Sequence, residues 1–421
     1  MPFQFPQSQS LKGLPSDGRL LFTTRMVRLF AYGFLSIILV IYLAALGLSQ
    51  WQIGALLTLT LLGDALISLW MTAIADQAGR RRMLKLGAGL MIFAGILFSL
   101  TSHFWILVVA AAIGVISPHG SEVGPFLAVE QATLAQVVED KKRTRVFAWY
   151  NFAGSLATAL GSLSAGALTQ ILNSAGFDLV LSCRMIVAGY ALLGVVLWRL
   201  FSRLTPAAEV IRPKEKLNVR NLFQTRFGLK KSQKFVVKLS MLFALDAFAG
   251  GFVIQSISAY WFHIRFGVEP AVLGQIFFGA NILAGFSGFW AARLAAKIGL
   301  INTMVFTHIP SNILLILVPL MPNLSLAIAI LLLRFSISQM DVPTRQSYTL
   351  AVVTPEERSA AGGITNISRT LGMSLSPLFV GPLLASASLL NFSFFIAGGL
   401  KIVYDLMVYR GFRSLRPPEE R

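Results

Sequence analysis

Long apolar stretches separated by short polar loops repeat along the whole chain, and this pattern predicts a bundle of membrane-spanning helices. The stretches are continuous rather than alternating, which favours helices over the strands of a transmembrane β-barrel. Twelve such intervals can be drawn, at residues 25–47, 51–76, 82–102, 104–135, 144–172, 177–201, 234–264, 268–296, 299–320, 323–352, 357–388 and 390–410. The predicted fold class is therefore an all-α polytopic membrane protein with twelve transmembrane helices.

The distribution of charge sets the predicted orientation in the membrane. Charged residues make up only 13% of the chain, and the formal net charge is +18. Basic residues concentrate in alternate loops, such as 80–85 and 141–145, whereas the opposite loops "GLSQWQ" and "TSHFW" carry none. This asymmetry favours positive-inside topology over nucleic-acid binding. We therefore expect a multi-pass protein of a bacterial inner membrane or plasma membrane, with both termini in the cytoplasm and no nucleic-acid partner.

One long polar stretch divides the chain into two sets of six predicted helices. The predicted organisation is a cytoplasmic N-terminal tail (1–24), a six-helix bundle (25–201), a cytoplasmic linker (202–233), a second six-helix bundle (234–410) and a C-terminal tail (411–421).

The two halves resemble each other in sequence. Aligned without gaps, segment 131–156 and segment 346–371 match at polar positions, including Arg143 with Arg358 and Asn151 with Asn366. The second and eighth intervals match at Gly54 and Gly274. Two pseudo-symmetric six-helix bundles are a transporter architecture, in which the binding site lies between the halves near the bilayer midplane.

The most specific motif is "TAIADQAGRRR", residues 72–82, which follows the second apolar interval. It resembles the helix 2–3 motif G-x-x-x-D-R-x-G-R-R of major facilitator superfamily transporters, of the drug and metabolite efflux type. The matching positions are Asp76, Gly79, Arg80 and Arg81. Thr72 and Gln77 depart from the motif, and Thr72 implies a looser approach of helix 2 to its neighbour, since glycine allows the closest contact.

The resemblance implies a cytoplasmic gate formed by this motif. Asp76 is expected to face the N-terminus of helix 11, where the helix dipole favours a carboxylate, and Arg80 is expected to pair with Glu130 on helix 4. The alternative is that these charges only fix the topology. The resemblance also implies that the protein is a monomer with a small-molecule substrate. It assigns helices 1, 4, 7 and 10 to the lining of the cavity.

Ionisable groups within the apolar intervals are candidates for substrate binding or proton coupling, because a charge in hydrocarbon is costly. The candidates are Glu122, Asp246, Arg334, Asp341 and Arg345. Helical offsets place the last three on one stripe of helix 10. Prolines and glycines in "SPHGSEVGP" and "QMDVPTRQ" predict that helices 4 and 10 bend beside Glu122 and Asp341. The alternative for each candidate is a static ion pair.

Other buried charges lie on helices that support the cavity, and structural pairing is expected for them. They are Asp64, Arg184 and Arg369. Lys401 and Asp405, four residues apart, are expected to pair with each other.

The sequence contains no metal or nucleotide motif such as HExxH or GxxxxGK[ST], and its single cysteine precludes an internal disulfide. We therefore expect no enzyme activity, no metal site and no cofactor, with a proton gradient as the energy source. The predicted function is export of small amphipathic organic molecules by proton antiport. The alternatives are uptake or facilitated diffusion of a sugar or organic anion, and a non-transport role as a membrane receptor or lipid scramblase.

Overall fold

The computed structural model describes residues 14–120, 126–138, 140–209, 232–354, 357–386 and 388–413. These residues form sixteen α-helices and no β-strand. The helices are α1 (Ser16–Ser36), α2 (Leu39–Ala45), α3 (Gln50–Ala78), α4 (Arg80–Leu100), α5 (Phe104–Ile113), α6 (Phe126–Val137), α7 (Asp140–Ser174), α8 (Leu179–Phe201), α9 (Gln233–Gly251), α10 (Gln255–Phe266), α11 (Pro270–Ile298), α12 (Leu300–Leu317), α13 (Leu324–Phe335), α14 (Asp341–Ala351), α15 (Arg358–Leu384) and α16 (Phe392–Phe412).

The all-α, multi-pass architecture predicted from the sequence is confirmed. Within the described residues, eight helical stretches are long and apolar enough to cross a membrane, and nine if α1 and α2 count as one bent span. The number of twelve crossings stays a prediction. The first helix begins at Ser16, inside the segment predicted as a tail. Its first turn carries Asp17, which suits the positive end of the helix dipole and accepts hydrogen bonds from Thr205.

Four of the predicted intervals are broken into two helices each. The breaks fall between α1 and α2, α5 and α6, α9 and α10, and α13 and α14, which are the helices that the resemblance assigns to the cavity. The bends at "SPHGSEVGP" and "QMDVPTRQ" were expected from their prolines and glycines, although residues 121–125 of the first lie outside the described part. The α9 break follows Gly250 and Gly251, whereas α1 and α2 meet at an angle of 40° without a proline.

The two halves contact each other through pseudo-symmetric pairs of close-packed helices. A Cβ atom on Gly54 of α3 would lie 2.6 Å from the carbonyl oxygen of Pro377 on α15. Its sequence match Gly274, on α11, would place a Cβ atom 2.7 Å from the carbonyl oxygen of Ser162 on α7. Because only glycine permits these approaches, the repeat in the sequence corresponds to a repeated contact between the halves.

Within the N-terminal half, α1 and α7 cross with backbone in contact. A Cβ atom on Gly161 of α7 would lie 2.0 Å from the carbonyl oxygen of Phe30 on α1. We expect Gly161→Ala to force these helices apart and to lower the free energy of unfolding by about 1–3 kcal/mol. Thermal unfolding of the purified protein, followed by tryptophan fluorescence, measures this loss.

Gly399→Ala on α16 is the matched control, because nothing lies within 4 Å of its added Cβ atom. That variant should be neutral or more stable by up to about 1 kcal/mol, since alanine is the better helix former. Equal unfolding temperatures for the two variants would contradict the close crossing of α1 and α7.

Candidate functional site

A network of uncharged polar side chains joins the two halves where the broken helices meet. Gln255, the first residue of α10, donates from Nε2 to the hydroxyl oxygens of Ser36 (2.8 Å) and Ser162 (3.1 Å). Asn281 of α11 donates from Nδ2 to Oε1 of Gln255 at 3.1 Å. We call Gln255, Ser36, Ser162 and Asn281 the central polar network. Gln255 is buried, and the network uses both N–H donors of its amide and one of the two lone pairs of Oε1.

The backbone also contributes to this junction. The amide of Ser256 donates to the carbonyl oxygen of Pro118, in the break after α5, at 3.2 Å. Gly120 has a φ of 70°, and a Cβ atom there would lie 2.9 Å from the Gln255 side chain. Broken helices expose carbonyl and amide groups that a helix interior would occupy. The junction therefore holds backbone groups that form hydrogen bonds between helices instead of within them.

Replacing Gln255 with leucine is expected to loosen the junction, since it removes three hydrogen bonds worth about 0.5–1.5 kcal/mol each. Hydrogen–deuterium exchange should become faster in α2 and α10. Gln52→Leu is the matched control, because Gln52 bonds only within the exposed capping box of α3. Unchanged exchange in α10 of the Gln255→Leu protein would show that the network does not hold the halves together.

A cluster of buried charges lies inside the C-terminal half. The Asp246 carboxylate, on α9, is 3% exposed and lies 2.6 Å from Lys401 Nζ and 2.9 Å from Arg369 Nη1. Arg345 Nη1 lies 3.3 Å from Asp246 and 2.7 Å from Asp341. We call Asp246, Asp341, Arg345, Arg369 and Lys401 the charge cluster. It compensates every carboxylate that it contains with at least one close cation.

Three of the five predicted candidates, Asp246, Asp341 and Arg345, therefore converge. Arg334, at the end of α13, interacts electrostatically with Asp341 but forms no ion pair within 4 Å among the described residues, and its guanidinium carbon lies 5.1 Å from the centroid of the Phe335 ring. The predicted stripe is not continuous because the helix is interrupted between Arg334 and Asp341. Glu122 lies outside the described residues.

The predicted pairing of Lys401 with Asp405 is wrong. Lys401 donates to Asp246 on another helix, and Asp405 accepts from Asn312 and lies 2.8 Å from Nδ1 of His308. Lys401 and Asp405 both lie on the buried side of α16. Side chains on neighbouring helices reach them there, and each residue pairs with one of those instead of with the other. No pattern in the sequence indicates His308 as a partner, since it is an isolated histidine in an apolar helix.

The gate motif binds residues other than those expected. Arg80 donates from Nε to Asp76 and from Nη1 to Gln136, at 2.8 Å in each case. The Glu209 carboxylate, at the start of the linker, accepts the backbone amides of Arg80 (2.7 Å) and Arg81 (3.1 Å). An acid at the N-terminus of α4 is favoured by the free amides and the helix dipole there. Gly79, with a φ of 99°, makes the turn that exposes those amides.

Arg80 and Glu130 do not form the predicted pair in the described part of the chain, because Glu130 is buried inside the N-terminal half. Its carboxylate pairs with Arg28 at 2.7 Å, and both side chains have no exposed surface. Thr24 and Tyr150 also donate to it. Glu130 therefore belongs to a buried ion pair between α1 and α6 and not to the motif.

The expected contact of Asp76 with helix 11 stays a prediction. The Asp76 carboxylate is 60% exposed and bonds to Arg80. Residues 355 and 356, at the start of the expected partner, lie outside the described part of the chain.

Comparison with known proteins supports the architecture. A family model described as the Major Facilitator Superfamily matches residues 21–377. An uncharacterized membrane protein of Saccharomyces cerevisiae is 30% identical in an alignment of 420 positions that covers 93% of each chain.

Two solved structures share the fold. One is a bacterial homologue of the human lysosomal transporter Spinster in an inward-facing, unoccupied conformation, with 18% identity and a TM-score of 0.70 over 98% of this chain and 99% of that one. The other is a D-xylose–proton symporter, with 16% identity and a TM-score of 0.70 over 93% of this chain and 97% of that one.

Proposed function

Because the chain belongs to the major facilitator superfamily, we propose that it exports small amphipathic organic molecules in exchange for protons. Membership makes it a multi-pass membrane transporter and not an enzyme. We further propose that it works as a monomer in the cell membrane with both termini in the cytoplasm. The cargo is a small molecule rather than a nucleic acid, and a proton gradient supplies the energy without a cofactor.

The observation that carries this proposal is the shared guanidinium of Arg345. It lies within ion-pair distance of two carboxylates, Asp246 and Asp341, that sit at the depth of the helix breaks. When one carboxylate takes up a proton or the guanidinium binds cargo, the charge available to the other carboxylate changes. Such competition for one cation is a physical means of linking proton binding to cargo binding.

The contacts between the halves support alternating access. With the termini in the cytoplasm, the first turns of α3 and α11 lie at the outer side, where they touch α15 and α7. Gln50 of α3 also donates to the Tyr260 hydroxyl of α10 at 2.6 Å. These contacts close the outer side in this structure. Rocking of the halves about the central polar network would release them and open the cavity outward.

Flux through sealed proteoliposomes tests the proposal. The probes are three fluorescent dyes of different charge: carboxyfluorescein, an anion; ethidium, a cation; and rhodamine B, a zwitterion. A proton antiporter should concentrate at least one dye in vesicles with an acidic lumen, and the direction should reverse with the pH gradient. Arg345→Gln should abolish gradient-driven flux, whereas Arg293→Gln, at the cytoplasmic end of α11, should retain it.

Other outcomes contradict the proposal in distinguishable ways. Facilitated diffusion would be indicated if a dye, a sugar or an organic anion reached equal concentrations on both sides of the membrane, whatever the pH gradient. Movement of labelled lipid between leaflets, with no dye flux, would indicate a scramblase.

A further inference from the structure

One buried acid has no hydrogen-bond partner among the described residues, and it does not belong to the charge cluster. Asp64 lies in the middle of α3 with no exposed surface. Neither of its carboxyl oxygens accepts a hydrogen bond from any described residue. Structural pairing was expected for this residue, and that expectation is wrong. The contrast with Asp246 is direct, because Asp246 has a cation 2.6 Å away.

Among the described residues, the elements around Asp64 bring hydroxyl groups and apolar surface close to it but no cation. Helix α5, which contains no ionisable residue, packs so closely that a Cβ atom on Gly63 would lie 2.1 Å from the carbonyl oxygen of Ala112. The stretch 86–100 of α4 is likewise free of ionisable residues. Tyr190 of α8 is close enough to interact electrostatically with Asp64 and with Tyr32 of α1.

The remaining neighbouring elements hold their charges elsewhere. The acid of α6, Glu130, is neutralised by Arg28 of α1. Helix α15 meets α3 near Gln50 and Gly54, where its contacting residues are Pro377 and Gly381. An ionised carboxylate enclosed without a cation or a donor costs several kcal/mol. In this closed arrangement the Asp64 carboxyl group is therefore stable only in its neutral, protonated form.

We propose that Asp64 carries an exchanged proton, an inference that rests on the proposed antiport. It adds a proton site in the N-terminal half to the charge cluster of the C-terminal half, where two carboxylates share Arg345. The proton is added to one carboxyl oxygen from water and is later returned to water. No other bond forms or breaks, and no further reactant is required.

The location of Asp64 links its exposure to the movement of the halves. Tyr32 lies one turn before Ser36 on α1, and Ser36 accepts from Gln255 in the central polar network. The Tyr190 hydroxyl donates to the carbonyl oxygen of Val115, in the break after α5, at 2.8 Å. When the halves part on the outer side, the network opens and water can reach the break and both hydroxyl groups. That is the stage at which Asp64 exchanges its proton with the outside.

Infrared difference spectroscopy on the purified protein tests the protonation directly, without a cargo. A protonated carboxyl group has a C=O stretching band that an ionised carboxylate lacks. Wild-type protein at neutral pH should show a band that Asp64→Asn removes and Asp64→Glu shifts. The control Asp76→Asn should leave the band unchanged, since the Asp76 carboxylate is exposed and paired with Arg80. A band that persists in Asp64→Asn protein would overturn the proposal.

The dye assay separates failure of this inference from failure of the proposed function. Asp64→Asn should lose pH-driven accumulation but keep dye-for-dye exchange across the vesicle membrane, because asparagine mimics the protonated acid. Undiminished pH-driven accumulation in Asp64→Asn protein would exclude Asp64 as the proton carrier and leave the antiport standing. A wild-type protein that shows no pH-driven flux of any of the three dyes would overturn the antiport and the role of Asp64 together.

Thermal unfolding of Asp64→Asn protein shows whether a loss of flux is caused by unfolding. Because the substitution exchanges one neutral side chain for another of the same shape, its unfolding temperature should equal that of the wild type. If Asp64→Asn fails to fold, Asp64→Glu tests the proposal instead. That variant should shift the C=O band and retain pH-driven flux. An unshifted band in Asp64→Glu protein would contradict the proposal.

Discussion

Replacing Asp246 with asparagine is expected to lower the free energy of unfolding by about 3–5 kcal/mol and to abolish transport. The substitution keeps the shape of the side chain but removes the negative charge that Lys401, Arg369 and Arg345 share. Three cations would then face one another in a buried site with Asp341 as their near carboxylate. Thermal unfolding in lipid nanodiscs, combined with the dye flux assay, measures both effects.

Two further variants make this result specific. Asp76→Asn also removes an acid from an ion pair, but its carboxylate is 60% exposed, so we expect a loss below about 1 kcal/mol. Adding Lys401→Met to Asp246→Asn removes one of the uncompensated cations and should restore part of the stability. An Asp246→Asn protein as stable as the wild type would show that the charge cluster does not form as described.

The sequence predicted the helical architecture well because hydrophobicity acts locally and each span must satisfy its own backbone. Proline and glycine marked the breaks beside Pro118 and Pro343, since both residues disturb regular helices. Gly250 and Gly251 mark the break after α9 in the same way. No residue type marks the 40° bend after Ser36, where the packing of α1 against other helices decides the backbone path.

The partners of buried charges were much less predictable. Asp341 and Arg345 were correctly placed together, because a spacing of four residues fixes their proximity on one helix turn. The same rule failed for Lys401 and Asp405, where acids and bases on other helices compete. A single sequence contains the spacing within a helix but not the rotation of one helix against the next. For that reason it could not show that Asp64 is unpaired.

The buried pair of Arg28 and Glu130 yields the second large effect, and it also decides between two roles for Glu130. Both side chains are fully enclosed, and Glu130 accepts further hydrogen bonds from Thr24 and Tyr150. Glu130→Leu alone would leave the Arg28 guanidinium buried without its counter-charge. We expect that variant to lose about 3–5 kcal/mol of unfolding free energy, and Arg28→Met alone to lose a similar amount.

Combining Glu130→Leu with Arg28→Met should recover most of that loss, because both charges leave the interior together and apolar side chains of similar volume replace them. If the pair is purely structural, as its enclosure indicates, the double variant should also regain dye flux. If Glu130 instead serves the cytoplasmic gate in another conformation, as the family motif implied, the double variant should be stable but inactive. Stability and flux measured on the same double variant therefore distinguish the two roles of Glu130. In one role, Glu130 only pairs with Arg28 and holds α1 to α6. In the other, it pairs with Arg80 when the inner side closes.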